Sequence, residues 1–427
     1  MSSDWKTIRI ESSPIEIIDG DRGVNYPKLE EFFEDGYCLF LNTSNVTKQG
    51  FNFSKTQFIT KEKDSLLRKG KLKQFDIVLT TRGTVGNIAY FDEKIPYKNI
   101  RINSGMVIFR NTNMNVVSTK YFYQFLKSNL FHDQVISFSS GSAQPQLPIS
   151  DLKQIEFPIP PLSIQNHIAE ILSALDDKIE LNRQTNATLE AIAQAIFKEW
   201  FVDFNYPGAT GELVESELGP IPKGWRVGRL GEICELIKGV SYSSGELQPS
   251  NNALVTLKSI NRGGGFNISG FKEYTGNYKL SQCLLEGDLI FAQTDITQNA
   301  DVIGSPAIVE NPLGYERLIA SLDIVKCIPV NEMPSSRTLF YFLQRQEFKD
   351  YCLSQTNGST VLHLRSSEVP NFSTIIPCPS ILKNFDSLAT TFTQNIFDNN
   401  RQNRILSELR DILLTKLMSG EINLWNG

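Results

Sequence analysis

Through residues 163–206 apolar side chains recur in steps of three and four: Ile168, Leu172, Leu175 and Ile179, then Leu189, Ala193, Ile196 and Trp200. Steps of that size draw one apolar stripe along a helix, the seam of a coiled coil. No Gly or Pro interrupts this stretch, and none interrupts residues 380–419. An offset of 217 carries the stripe onto Phe385, Ala389, Phe392 and Ile396, then Leu406, Arg410, Leu413 and Leu417, with Arg410 as its one charged member. The polar interval repeats too, since Asn182 and Asn186 fall onto Asn399 and Asn403. Asn inside a seam costs stability but fixes register and partner number. The pattern predicts two long helices that pair within the chain.

The repetition extends beyond the helices. Each half opens on a Trp and a strand-like run, Trp5-Lys-Thr-Ile-Arg-Ile and Trp225-Arg-Val-Gly-Arg-Leu. Each carries an Asp before an apolar run (Asp76-Ile-Val-Leu, Asp288-Leu-Ile-Phe), then a Gly-Ser pair (Gly141-Ser142, Gly358-Ser359), then Leu147 or Leu364 and a Pro-rich exit. A period of this size is a duplicated domain and not a solenoid. Strands are predicted at 75–80, 87–91 and 105–110, and in the second half at 253–259, 288–292, 305–309 and 323–328. Single amphipathic helices are predicted at 119–130 and 337–353. The predicted class is α+β: globular heads at 1–160 and 225–379, long helices at 161–206 and 380–420, a Gly- and Pro-rich linker at 207–224 and a tail at 421–427.

Bulk composition narrows the class. Hydrophobic content of 41% and charge of 21% over 427 residues permit several buried cores. The six cysteines contain no Cys-x-x-Cys pair, so no metal site is expected, and their scarcity suits a reducing cytoplasm. No run reads as a signal peptide or a membrane span. The net charge is −5, yet residues 48–110 hold thirteen basic residues against five acidic ones. The second half has no such excess, so the two heads differ electrostatically.

Catalytic signatures are missing. There is no phosphate-binding P-loop, no Asp/Asn-Pro-Pro-Tyr/Phe tetrapeptide of amino-methyltransferases and no His-Glu-x-x-His. Asn311-Pro312-Leu313 lacks the second Pro and the aromatic, and Asp92-Glu93-Lys94 reads as a solvated turn. Polar loops are plentiful instead. Thr80–Asn87 combines hydroxyls, Arg82, two Gly and an amide, and Gln293–Asn299 is its counterpart without an Arg. Glycines allow close backbone approach, hydroxyls suit phosphate, and Arg, Asn and Gln suit purine edges. The candidate DNA-facing set is Arg22, Asn25, Tyr26, Lys28, Thr81, Arg82, Thr84, Asn87, Arg101, Gln144 and Gln146 in the first half. In the second it is Lys258, Arg262, Gln293, Thr294, Thr297, Gln298, Ser359 and Arg365. Any one of these loops also reads as an ordinary surface turn.

About 36 helical residues make a rod of roughly 55 Å, a span of one to two DNA turns at ~34 Å each. Phe197, Trp200 and Phe201 exceed what a two-helix seam needs, and a lone helix pair leaves apolar flanks for partner subunits. The helix set expected to form the seam and the docking surface is Ile168, Leu172, Leu175, Ile179, Asn182, Asn186, Leu189, Ile196, Phe197, Trp200 and Phe201, with Phe392, Ile396, Asn399, Asn403, Leu406, Leu413 and Leu417.

Pro160-Pro-Leu-Ser-Ile-Gln165, Ile168-Ala-Glu-Ile-Leu172, Leu175-Asp-Asp-Lys-Ile-Glu-Leu-Asn182 and Phe197-Lys-Glu-Trp-Phe201 resemble the central conserved region of type I restriction–modification specificity subunits. Pro220-Ile-Pro-Lys-Gly-Trp225 with Leu230-Gly-Glu-Ile233 resembles the start of their second target-recognition domain. The resemblance covers essentially the whole chain. It implies two target-recognition domains, each reading half of a bipartite, asymmetric double-stranded DNA site. It implies two antiparallel helices that set the spacer and dock two methyltransferase subunits, joined by restriction/translocase subunits. S-adenosylmethionine, ATP and Mg are expected on those partners and no cofactor on this chain, which would be non-catalytic. One departure is visible: Ile381-Leu-Lys-Asn-Phe lacks the Gln and Ala-Glu of the first copy, which predicts less symmetric docking. The competing readings are a protein-interaction scaffold that binds no DNA, and a stand-alone nuclease or methyltransferase, against which the missing motifs weigh.

Overall fold

Leu162–Phe201 and Pro379–Met418 are each one unbroken helix of 40 residues in the computed structural model, which describes residues 5–139, 146–297, 299–330, 334–358 and 360–422. The second helix starts on a Pro, whose missing N–H costs nothing at a first helical position. It stops where Gly420 takes φ +70°, a left-handed C-terminal cap. The chain divides into two compact units, residues 1–179 with 405–427 and residues 180–404. These units do not follow the expected head-and-helix boundaries. Each combines a head with a stretch of both helices, because the helices supply part of that head's core.

In the first unit Ile168, Ala169 and Leu172 share a buried cluster with Leu414, Leu417 and Met418 and with the head's Phe122, Phe125 and Phe157. Arg410, the charged member of the stripe, is paired: its Nη1 lies 3.0 Å from Asp176, which also accepts from Lys127 Nζ at 2.7 Å and Gln124 Nε2 at 3.2 Å. In the second unit the four Asn of the polar interval meet. Asn182 Nδ2 donates to Asn403 Oδ1 at 2.9 Å and to Gln402 Oε1 at 2.7 Å. Asn399 Nδ2 donates to Asn186 Oδ1 at 2.8 Å, and Asn186 Nδ2 to Asn400 Oδ1 at 2.9 Å. Further along, Phe197 and Phe201 pack on Phe385 with centroids 5.6 and 5.2 Å apart, inside a cluster with Trp225, Tyr341 and Phe342. All the expected seam positions are buried or half-buried, Leu175, Leu189, Ile196, Trp200, Phe392, Ile396, Asn399, Asn403, Leu406 and Leu413 being half-buried.

Each head is built on a four-stranded antiparallel sheet of the same strand order. In the first it runs Ile15–Asp19, Met106–Asn111, Ile77–Thr80, Ile88–Tyr90. In the second it runs Cys234–Lys238, Ile324–Pro329, Leu289–Ala292, Pro306–Ile308. Alternate side chains enter two cores: Ile77, Leu79, Val107 and Phe109 face one, Val78, Met106 and Ile108 the other. Burial on both faces explains why these strands read as unbroken apolar runs. Each head also holds one parallel pair, Leu39–Leu41 with Ile100–Ile102 and Asn252–Val255 with Arg317–Ala320. The entry strand of each head pairs antiparallel with its exit strand, Lys6–Arg9 with Glu156–Ile159 and Arg226–Arg229 with Ser373–Ile376. The chain thus enters and leaves a head side by side, at the start of a long helix.

Two local expectations differ from the structure. The single helices at 119–130 and 337–353 are each broken in two, Thr119–Lys127 with Asn129–Ser139 and Ser336–Leu343 with Gln346–Ser354. Ser128 makes the first break: its hydroxyl donates to the Phe125 carbonyl at 2.6 Å, and its own carbonyl accepts from Phe131 and His132. The divergent Ile381–Phe385 segment is likewise internal. Gln165, 1% exposed, accepts from the Ser118 N–H at 2.8 Å and donates to the Val116 and Pro160 carbonyls, tying the head's helix to the long helix. In the second copy Leu382 stands at that place and is buried, while Asp386 accepts from the Ser335 and Thr338 hydroxyls. The change rebuilds an internal joint of the second head.

In the second unit Glu310 packs beside the helices, its two oxygens 3.1 and 3.0 Å from Asn400 Nδ2. Burial first, then the nearby Glu286 and Glu190 carboxylates, push its pKa up to about 7, opposed by Asn400 and Arg401. The folded protein therefore holds this proton more tightly than the unfolded chain, whose carboxyl titrates near 4.5. Ionisation opposes folding progressively as pH rises from 4.5 to 7 and fully above that. Glu310→Gln should stabilise the protein at about pH 8 by on the order of 1–2 kcal/mol, with the gain fading towards pH 5. Melting curves of both proteins across that range check this; a gain that does not vary with pH would refute it.

Candidate nucleic-acid interface

Four loops converge in each head, and the close approach is written into two glycines. A Cβ on Gly20 would collide with the Asn103 carbonyl oxygen, and one on Gly239 with that of Ser321. In the first head Arg22 Nη2 reaches Asp19 at 3.1 Å and the Ser104 carbonyl at 3.4 Å. Thr81 and Arg82 N–H both donate to the Gly105 carbonyl, and Arg82 pairs through its backbone with Gln146. The second head repeats this with Val240 against Ser321, Gln293 N–H on the Asp323 carbonyl, and Thr294 paired with His363.

The structure sorts the candidate side chains by whether they are free to leave their own loop. Arg82, Thr84, Gln146, Lys28 and Lys258 are exposed at or near the loops. Arg22 and Arg365 are exposed but braced, the latter on Gln355 at 3.2 Å, and Arg262 is paired with Asp301 at 3.4 Å. Thr297 is half-buried, and its hydroxyl accepts from the Asp301 N–H. Gln144, Gln298 and Ser359 lie outside the described residues.

Seven candidates are corrected, Asn25 among them, whose side-chain amide donates to the Leu66 carbonyl at 3.3 Å. Arg101 is 5% exposed, with Nε 2.5 Å from Asp64 and its remaining nitrogens on the carbonyls of Asp64, Leu67 and Lys69. Burial alone would raise the Asp64 pKa, but Lys71 and Arg101 together hold it below the usual carboxylate range. Thr81 donates to the Gly105 carbonyl and Asn87 to that of Val46 at 3.0 Å. Tyr26 sets its ring edge-on to Phe40, 5.7 Å between centroids. Gln293 is 7% exposed and bonded to the Leu322 carbonyl, and Thr294 is buried beside it. These are the polar parts that hold the loops in shape, and sequence composition does not separate them from groups that face outward.

His363 was missed. It is exposed and pairs with Thr294 as Gln146 pairs with Arg82. The 217 offset that relates the two helices carries Gln146 onto it, so the signal was present in the sequence. Asp295, fully buried, holds the second head's loop by accepting from the N–H groups of Thr297, Val302 and Ile303. Burial would raise its pKa, and these bonds keep it low. Among the described residues no group of three His, Cys, Asp or Glu is placed to hold a metal, and no helix is long and apolar enough to cross a membrane.

The family model for the type I restriction modification DNA specificity domain matches the chain twice, at residues 3–191 and 222–405. The type I restriction enzyme MjaIX specificity subunit of Methanocaldococcus jannaschii is 31% identical over 353 residues, 81% of this chain and 77% of that protein. The HindI specificity subunit of Haemophilus influenzae is 23% identical over 485 aligned positions, 98% of this chain and all of that one. The crystal structure of the type I restriction–modification S subunit from M. genitalium shares the fold, with a TM-score of 0.55 at 17% identity over 97% of this chain and 96% of that one.

Arg101→Ala should destabilise the first head by about 3–5 kcal/mol, because it leaves Asp64 buried with Lys71 as its one cationic partner and takes the donor from the Asp64, Leu67 and Lys69 carbonyls. Arg82→Ala should leave stability within about 0.5 kcal/mol of the parent. Chemical denaturation of the two variants checks the distinction; equal losses would return Arg101 to the exposed set.

Proposed function

From the premise that this chain belongs to the type I restriction–modification DNA specificity family, we propose that its two heads each read one half of a bipartite, asymmetric DNA site. The observation that carries this reading is the same four-loop convergence in both copies, presenting Arg82 with Gln146 in one and His363, paired with the buried Thr294, in the other. An exposed Arg suits guanine O6 and N7, an amide suits adenine, and unlike loops predict unlike half-sites. The exposed basic residues between 48 and 110, Arg68, Lys69 and Arg82 among them, supply phosphate contacts on the first head.

The long helices act as spacer and as dock. Ile405, Leu409 and Ile412 recur at helical spacing on the second helix and stay exposed, outside the seam, as do Leu181 and Ile192 on the first. Two methyltransferase subunits cover these flanks, and restriction/translocase subunits complete the complex. S-adenosylmethionine, ATP and Mg belong to those partners, which carry out adenine methylation and cleavage in the cytoplasm. This chain supplies the address.

Methylated-base sequencing of DNA from cells co-expressing this chain with its neighbouring methyltransferase subunit tests the reading. A split adenine motif of constant gap, present only with this chain, is expected; a motif unchanged by removing the chain would refute it. Removing one heptad from each long helix shortens the rod by roughly 10 Å, about three base pairs at ~34 Å per turn. The gap should shrink accordingly or assembly should fail, and a full-strength motif with its original gap would defeat the spacer role.

A further inference from the structure

The turn at Gly23–Tyr26 is pinned from both sides. Tyr26 N–H donates to the Gly23 carbonyl at 2.9 Å and closes the turn. Asp21 accepts from Gly23 N–H at 2.8 Å with one oxygen, and from Arg68 and Lys69 N–H at 2.7 and 3.4 Å with the other. Asn25 donates to the Leu66 carbonyl, Tyr26 packs on Phe40 and Pro27 is buried. The polar side chains of Asp21 and Asn25 are thus engaged in building the turn, and the Tyr26 ring is packed inward. What the turn presents is Val24, which is 100% exposed.

A fully exposed β-branched apolar residue on an immobilised turn loses little conformational freedom on contact, so its tip is suited to an apolar partner of matching size. Around the turn stand three cations against two carboxylates, Asp19 and Asp21, which are taken up by Arg22 and by backbone N–H groups. Arg22 lies beside it in sequence, and Arg68 and Lys69, both exposed, are tied to the same Asp21 that holds the turn. A surface with that charge favours a polyanion over a protein, and the apolar feature that double-stranded DNA offers in its major groove is the thymine C5-methyl. We propose that Val24 is a specificity residue of the first head, reading a thymine methyl while Arg22, Arg68 and Lys69 hold the adjoining phosphates. This inference rests on the DNA-reading function proposed above.

The test uses the full chain in complex with its methyltransferase subunit. Methylated-base sequencing is run on wild type and Val24→Ala, and thymines of the resulting motif are then replaced singly by deoxyuridine in binding duplexes. Removing one buried methyl should weaken wild-type binding about fourfold at one thymine. Val24→Ala should show no loss there, and its motif should relax at that position alone, with unchanged melting. The proposal is overturned if no thymine distinguishes the two proteins, or if Val24→Ala lowers subunit assembly with an unaltered motif, which would make the turn a protein contact. A wild-type complex that writes no motif would sink the DNA-reading function itself, and this inference with it.

Discussion

When a duplicated helix pairs with its own copy in antiparallel fashion, every residue must face a partner counted from the opposite end. The amide cluster of Asn182, Asn186, Asn399 and Asn403 is where that constraint is sharpest. The offset maps Asn182 onto Asn399 and Asn186 onto Asn403, yet the bonds run crosswise, Asn182 to Asn403 and Asn186 to Asn399. An apolar seam tolerates a shifted register at modest cost. Buried amides do not, since each would lose its partner. The cluster therefore fixes how the helices are matched, and the aromatic packing of Phe197 on Phe385 is consistent with the same match.

The heads depend on the helices for closure. Each head pairs its first strand with its last, so the polypeptide returns to its starting point before the long helix begins. The joint is then tied by a side chain from the helix, Gln165 in one copy and Asp386 in the other. Different residues four positions apart in the repeat hold the same N-terminal Ser of a head helix. What persists between the copies is a geometric requirement, and the chemistry that meets it has drifted.

The loops follow a similar rule. Asp21 and Asp295 each immobilise a loop by accepting backbone N–H bonds, which leaves a short stretch of chain to face outward. Rigid loops suit recognition, because a contact that must first be ordered returns less binding free energy. They also explain why the two heads can carry different surfaces on one scaffold: the pinning groups lie behind the loop, and the outward positions are free to differ.

Much of this architecture was legible in the sequence. The 3–4 spacing and the lack of Gly and Pro marked both helices, and the offset of 217 marked the duplication, because periodicity and repetition are properties of the chain itself. The apolar runs around Val78 and Ile290 marked strands, and the packing of the heads showed that both faces of each are buried. The breaks at Ser128 and Gln344 were not legible, since amphipathic periodicity continues across them and only the packing of the head selects the break. Nor could composition divide the polar loop residues. Arg82 and Arg101 are the same side chain in the same basic segment, yet one is in solvent and the other is enclosed with Asp64. The sequence by itself determined the two-fold repetition, the helical seam and the absence of familiar catalytic motifs. Which polar groups build the loops and which face outward was decided by the tertiary structure alone, because that depends on the carbonyls and carboxylates that distant segments bring within hydrogen-bond reach.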